Sequence, residues 1–343
     1  GIRDQPRSRG LGDVYKRQDS AFPGGVILAA KDGKIFLHEA VGFHTYSKKK
    51  SVSKGNIFDL ASITKVVSTT SAIMKLVDEN KLNLDDKVVE YLPEYIGKQK
   101  AHFTQKKNTT IRDLITHTGG LPPFKQYFKI EGTPQTRIDS IFNTEPILEL
   151  RDSTIYSDIG LIVLGKVVEK ITENPLDVFI DSVVFSPLGM SSTFYNPKPI
   201  KVNRVVPTEN SKFHNKLIKG FVHDENAHSI GGVAGHAGVF STAKDLSIFS
   251  QTMLNGGRYG WKRIFDEEYG CGIDFNSRFP PLNISNSSQL LSGKLRYGMV
   301  SYGFDMILKN DIFKLKIFIK DRELNTSNII ETPEVTLEEI LSE

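Results

Sequence analysis

Runs of apolar residues alternate along this chain between a period near two and a period near 3.6, the spacings of strands and helices. Gly25–Ala30 and Lys34–Gly42 are apolar and partly β-branched, with Lys31-Asp32-Gly33 between them. Asp-Gly between two such runs predicts a hairpin. From Ser62 to Glu79, Val66, Val67, Ile73, Met74, Leu76 and Val77 recur at helical spacing, predicting about five turns of helix. Thr110–His117 predicts a short helix stopped by Gly119-Gly120 and Pro122-Pro123. Ser157–Thr172 has a wide apolar face, Leu176–Val184 follows, and Thr242–Leu254 opens on a Thr-x-x-Asp cap. Near the end, Tyr302–Leu308 and Ile312–Lys320 read as a hairpin around Lys309-Asn310-Asp311, and Thr332-Pro333-Glu334 reads as the start of a last acidic helix.

Strands at both ends with helices between them predict a mixed α/β (α+β) fold: an antiparallel sheet built from N- and C-terminal strands, flanked by helices, with a helical insert. The expected division is a sheet subdomain over residues 19–62 plus 240–343 and a helical subdomain over 63–239, together one domain over 19–343. Residues 1–18 stand apart. They carry no apolar period, and Arg9–Gln18 (RGLGDVYKRQ) resembles a translated adapter scar, so they read as a non-native tail.

Composition changes this picture little. The chain is 39% hydrophobic and 24% charged, enough for a sizeable core. Its net charge of +4 sits mostly in the first 18 residues, which hold five basic and two acidic groups. The remaining charge is close to balanced, which argues for neither a nucleic-acid partner nor an anionic membrane. No apolar run reaches the roughly 18 residues that a spanning helix needs. The one cysteine, Cys271, forms no internal disulfide.

The chemistry sits in Phe58-Asp59-Leu60-Ala61-Ser62-Ile63-Thr64-Lys65. Residues three apart at the start of a helix share a face, so the Ser62 hydroxyl and the Lys65 amine can meet. A serine hydroxyl needs such a base, and a helix N-terminus favours negative charge developing on it. Taken alone, the pair reads rather as a helix cap and a solvated lysine.

Its neighbours add weight. Leu82–Asp86, Tyr91–Tyr95, Ile111–Leu121, Tyr156-Ser157-Asp158, Pro187–Met190 and Gly231–Asp245 follow in order. Together with Ser62-x-x-Lys65, a signature of β-lactamases and penicillin-binding proteins, they resemble the serine β-lactamase-like family. Its members include class C β-lactamases, D,D-peptidases and related esterases. The resemblance spans about residues 22–257; residues 261–343 match poorly.

The resemblance implies a β-lactamase/transpeptidase-like fold and a serine hydrolase that forms an acyl-enzyme on Ser62. Lys65 and Tyr156 would be the proton-transfer partners. The substrate would be an ester, a D-amino-acid amide or a β-lactam, that is, a small molecule or a peptidoglycan-type peptide. A periplasmic or cell-envelope setting follows by the same resemblance. Asp158 stands where the family usually has Asn. An amide can donate to a substrate carbonyl, whereas a carboxylate only accepts. Asp158 therefore either weakens binding of amide substrates or pairs with Lys65.

The family's Lys-Thr-Gly or His-Thr-Gly element has no counterpart after residue 257. Ser292-Gly293-Lys294 has the wrong order, and His236-Ala237-Gly238 has the right shape at an earlier place. Asp158, His236 and Gly238 are the candidate substrate-binding residues. The missing element fits a frameshifted or divergent C-terminal segment. It also fits a catalytically impaired ligand-binding or scaffold domain on the same fold. His117, in Thr-His-Thr-Gly-Gly, reads as a structural brace. His223, His228 and His236 fall near Asp224 and Glu225 in spacings that match no zinc pattern, so no metal and no cofactor is expected. The oligomeric state is not legible.

Overall fold

The structure, a computed structural model, describes residues 22–31, 33–97, 103–211 and 213–266, with two-residue strands at 312–313, 316–317, 330–331 and 335–336. Chain contacts divide it into two units. One comprises Gly1–Gly25, Ala40–Val52 and Pro281–Glu343; the other comprises Val26–Glu39 and Ser53–Pro280 and holds every candidate site residue.

Strands β1 (Gly24–Lys31) and β2 (Lys34–Gly42) pair as the expected hairpin. Gly33 sits in its turn at φ +74°, where a side chain would be strained. In the first unit Phe43 N donates to Pro23 O at 2.8 Å and Val52 N donates to Gly42 O at 3.0 Å, closing the intervening loop on itself.

Near the C-terminus, Ile312–Phe313 pairs antiparallel with Val335–Thr336, and Lys316–Ile317 with Ile330–Glu331. The strand expected from Ile312 is present, but its partners are these later residues. Tyr302–Leu308 lies outside the described residues. Val335–Thr336 is strand where a helix was expected, because two β-branched residues find backbone partners across a ladder.

The larger unit holds a three-stranded antiparallel sheet of β3 (Phe58–Asp59), β4 (Phe194–Tyr195) and β5 (Val239–Ser241), with β5 in the centre. Asp59 and Phe194 both pair with Phe240. After β3 the chain makes one tight turn over Ala61–Ile63, widens over Lys65–Thr70, and runs on as α1 (Ser71–Asp78). A regular helix from Ser62 was expected. The widening follows from what is buried there. Ser68 accepts from the Tyr195 hydroxyl at 2.9 Å, Thr69 Oγ1 donates to Gly235 O at 2.7 Å, and Ser71 Oγ donates to Val66 O at 2.9 Å. These side-chain bonds, two of them to other segments, accompany a backbone ladder that runs i→i+5 in place of i→i+4. Such widened turns are frequent at functional sites.

The remaining helices that frame the site are α2 (Ile111–Ile115), α3 (Asp158–Thr172), α4 (Leu176–Ile180) and α5 (Ala243–Leu254). Helix α3 forms the core: Ile159, Leu161, Ile162, Val163, Leu164, Val167 and Val168 are all buried. Each such side chain contributes about 1.5–3 kcal/mol of transfer free energy. No described helix is long and apolar enough to cross a membrane.

Helix α2 is capped reciprocally. Thr110 Oγ1 accepts from Asp113 N at 3.2 Å, and Asp113 Oδ2 accepts from Thr110 N at 2.9 Å. Arg151 clasps the same carboxylate through two bonds, of 2.8 and 3.0 Å. Burial alone would raise the Asp113 carboxyl. The Arg151 and Thr110 donors outweigh it and hold the group below its ordinary value of 3.8. A lowered carboxyl stabilises the fold above its unfolded-state value, and that contribution is lost as pH falls through its folded value. Asp113→Ala should therefore destabilise by about 2–4 kcal/mol at pH 7, with the difference from wild type shrinking below about pH 4. Urea unfolding at both pH values checks this; equal midpoints at pH 7 would refute it.

Candidate active site

Ser62 lies just after β3, in a segment fastened to β5. Leu60 N donates to Val239 O at 2.9 Å, and Val239 N donates to Thr64 Oγ1 at 3.1 Å. Ala61, immediately before Ser62, has φ +45°, a left-handed conformation costing about 1–2 kcal/mol for a residue with a Cβ. Asp59 holds it there: Oδ1 accepts from Ala61 N at 2.9 Å, and Oδ2 accepts from His223 N at 2.8 Å. Burial pushes the Asp59 carboxyl above its usual range, and the two backbone donors offset this only in part.

Lys65 is buried behind a half-exposed Ser62. Its Nζ donates to Ser62 Oγ at 2.9 Å and to the His236 carbonyl at 3.2 Å, and stands 2.7 Å from Asp158 Oδ1. The Asp158 contact is an ion pair without hydrogen-bond geometry. Two hydrogen-bond acceptors and one carboxylate oxygen thus surround the Lys65 nitrogen. The same nitrogen lies 4.8 Å from the centroid of the Tyr156 ring, over its face. Ser62, Lys65, Tyr156 and Asp158 are thus brought together. Of the two consequences open to Asp158, the structure displays the pairing with Lys65.

Tyr156 and Asp158 are positioned by the turn before α3. His117, at φ +63°, packs its ring on Tyr156 at 4.8 Å, and its Nδ1 accepts from Ser157 N at 3.1 Å. Ser157 Oγ donates to Pro122 O at 2.7 Å, and Asp158 N donates to Pro123 O at 2.9 Å. His117 is a brace for the two residues on either side of Ser157.

His236 meets the site through its carbonyl. Its ring is only 1% exposed, and Nε2 lies 2.9 Å from Asp224 Oδ1. A carboxylate oxygen only accepts, so Nε2 donates. Gly238, at φ +121°, lies just before β5, and a Cβ there would come within 2.4 Å of Gly232 O. Close packing is what Gly238 serves in the described residues. Ser292-Gly293-Lys294 lies outside them.

The three histidines do not converge. His223 pairs with Glu209 at 2.9 Å, and His228 packs against His214 and Phe221. Among the described residues the group able to hold a cation is Asp158, Asp224 and His236, whose ligand atoms lie within 4.8 Å of one another. The Lys65 ammonium already provides positive charge against Asp158. Sequence reasoning assigned no role to Asp59 or Asp224. For Asp59 a local signal existed, since Asp commonly bonds the backbone N–H two residues on. For Asp224 the local signal is its cap on Ala227 N, which does not point to His236, a partner brought by a later segment.

The Beta-lactamase family's sequence model matches residues 13–266. The chain is 32% identical over 284 residues to a protein named "Putative D-alanyl-D-alanine carboxypeptidase" from Escherichia coli (strain K12), covering 74% of this chain and 65% of that protein. It is 35% identical over 280 residues to a protein named "N-acetylmuramyl-L-alanine amidase" from Bacillus subtilis (strain 168), covering 73% of this chain and 63% of that one. The chain therefore spans about 65% of the length of such curated relatives. In fold it is similar to an octameric penicillin-binding protein homologue from Pyrococcus abyssi, with a TM-score of 0.60 at 22% identity over 75% of this chain and 57% of that one. With its mixed helical and antiparallel fold and its Ser62-x-x-Lys65 pair, the chain belongs to the Beta-lactamase family of serine hydrolases.

Proposed function

We propose that this chain hydrolyses a peptidoglycan-type D-amino-acid amide through an acyl-enzyme on Ser62. The reading rests on one observation above all: the nitrogen of the buried Lys65 lies 2.9 Å from Ser62 Oγ, inside a half-buried cluster that also includes Tyr156. The names of the E. coli and B. subtilis relatives favour a cell-wall amide over an ester or a β-lactam.

In this mechanism a neutral Lys65 amine takes the Ser62 proton as Oγ bonds to the substrate carbonyl carbon. The carbonyl electrons move onto oxygen, and the Ser62 backbone N–H is one donor toward that oxyanion. As the C–N bond breaks, the proton passes by way of Lys65 and the Tyr156 phenol to the leaving amine. Water then adds to the acyl-Ser62 ester, gives its proton to the same base, and releases the acid and the free hydroxyl.

A second reading, a ligand-binding domain with impaired turnover, is favoured by the Asp158 carboxylate, which stands 2.7 Å from the Lys65 nitrogen that would have to take the Ser62 proton. Intact-mass spectrometry with a penicillin, together with assays of D-alanine release from an acyl-D-Ala-D-Ala peptide, separates the two. Turnover plus a covalent adduct mapped to Ser62 supports the hydrolase. A stable adduct without turnover supports the binding domain, and no adduct with no turnover sinks the hydrolase proposal.

A further inference from the structure

Residues 223–227 contribute no reacting atom, yet hydrogen bonds tie them to each arm of the Ser62 cluster. The nucleophile arm is tied through Asp59, whose Oδ1 accepts from Ala61 N and whose Oδ2 accepts from His223 N at 2.8 Å. The lysine arm is tied through Asp224. Its Oδ1 accepts both from His236 Nε2 and from Ala227 N, each at 2.9 Å, and the His236 carbonyl holds Lys65. The tyrosine arm is tied through Asn226. Its Nδ2 donates to Lys125 O at 2.8 Å and its Oδ1 accepts from Phe128 N at 3.0 Å. In the same loop the Pro122 and Pro123 carbonyls hold Ser157 and Asp158, beside Tyr156.

Asp224, Asn226 and His236 are all buried. Burying polar groups costs free energy that apolar packing would avoid. What they supply in return is direction, because a hydrogen bond fixes an angle as well as a distance. His236 Nδ1 has no hydrogen-bond partner among the described residues, so Asp224 provides the bond that orients this ring and the backbone carrying it. That orientation matters to the proton transfer. As a neutral amine, Lys65 Nζ has two hydrogens and one lone pair. With the hydrogens turned to the His236 carbonyl and the Asp158 carboxylate, the lone pair is left for the Ser62 proton.

We propose that Asp224 and Asn226 are positioning residues. Asp224 aims the Lys65 amine through His236, and Asn226 keeps the turn at 156–158 in register with Ser62 through the loop at 122–128. Both act through other residues. This rests on the hydrolase reading above.

The test is steady-state kinetics on an acyl-D-Ala-D-Ala peptide and on p-nitrophenyl acetate, with Tm measured for each variant. Asp224→Ala should lower kcat at least about 10-fold while KM stays within about 3-fold, the split expected when geometry and not binding is lost. Asp224→Asn keeps an oxygen able to accept both bonds and should hold kcat within about 3-fold of wild type. Asn226→Ala should lower kcat at least about 5-fold. Thr133→Ala is the control. It removes the cap of the helix Pro134–Phe142, which has no bond to the cluster, and should lower Tm by roughly 2–4 °C with kcat unchanged. Should Asp224→Ala not fold, His236→Gln and His236→Leu make the same comparison. Glutamine keeps a donor toward Asp224 and should retain kcat within about 3-fold, whereas leucine should lose at least about 10-fold. Asp224→Ala with wild-type kcat, Asp224→Asn as impaired as alanine, or His236→Leu equal to His236→Gln overturns the role of Asp224, and Asn226→Ala with wild-type kcat overturns that of Asn226. In each case the hydrolase reading stands. Wild type inert to both substrates overturns the hydrolase reading, and this inference with it.

Discussion

Replacing Ser62 with alanine should lower kcat/KM by a factor on the order of 10³ or more and abolish covalent labelling, while the fold stays intact. Ser62 is half-exposed and gives its Oγ to Lys65, so its removal costs one polar contact and no core packing. Lys65→Met should cost about as much as Ser62→Ala, and the double variant little more, because groups acting as one unit are non-additive. Tyr156→Phe separates two roles. The Lys65 nitrogen lies over the ring face, a contact that phenylalanine keeps, so a drop in kcat with preserved thermal stability would assign the loss to the phenol proton. Steady-state kinetics with circular dichroism on each variant checks the set. Ser62→Ala retaining more than about one tenth of wild-type activity is incompatible with an acyl-Ser62 route.

Gly235→Ala should be the most damaging small substitution away from the reacting atoms. A Cβ at this position would fall 1.9 Å from Leu161 O, 2.9 Å from Leu161 C and 3.1 Å from Thr69 Oγ1. Two of these are backbone atoms of α3 and cannot rotate away. Gly165, on the same helix, is tight to a lesser degree, its Cβ position lying 3.2 Å from Gly235 Cα. Overpacking of this kind costs about 3 kcal/mol or more. In a unit of this size that lowers Tm by roughly 6–12 °C. Activity should fall further than stability, because the next residue is His236, whose carbonyl holds Lys65. Gly55→Ala is the control: its nearest neighbour would be Arg204 Nη2 at 3.7 Å, an ordinary contact, and Tm should change by no more than a few degrees. Calorimetry on both variants decides the matter, and a Gly235→Ala protein as stable as Gly55→Ala would show that α3 can move aside.

Some of the site is local and therefore legible in residue order. Ser62 and Lys65 are three apart, a spacing that any tight helical turn converts into proximity, so the pair survives even though the turn is irregular. The Thr242–Asp245 cap is legible for the same reason, as is the β1–β2 hairpin around Lys31–Gly33. His236 shows the limit. Its spacing suggests a substrate-binding residue, yet it meets Lys65 through its carbonyl, and which of its atoms faces the lysine depends on a buried partner, Asp224, that spacing does not connect to it.

Residue order alone carries the β1–β2 hairpin, the main helices, the closeness of Ser62 and Lys65 and the family, because capping, apolar period and short-range spacing act within a few residues. Only the tertiary structure decided that Asp158 pairs with Lys65, that His236 contributes a carbonyl, and that the segment after Ser62 widens. Each of these depends on where buried polar groups far apart in the chain find partners. Leaving one such group unsatisfied costs about 1–3 kcal/mol, more than the local preference of a turn or a side chain.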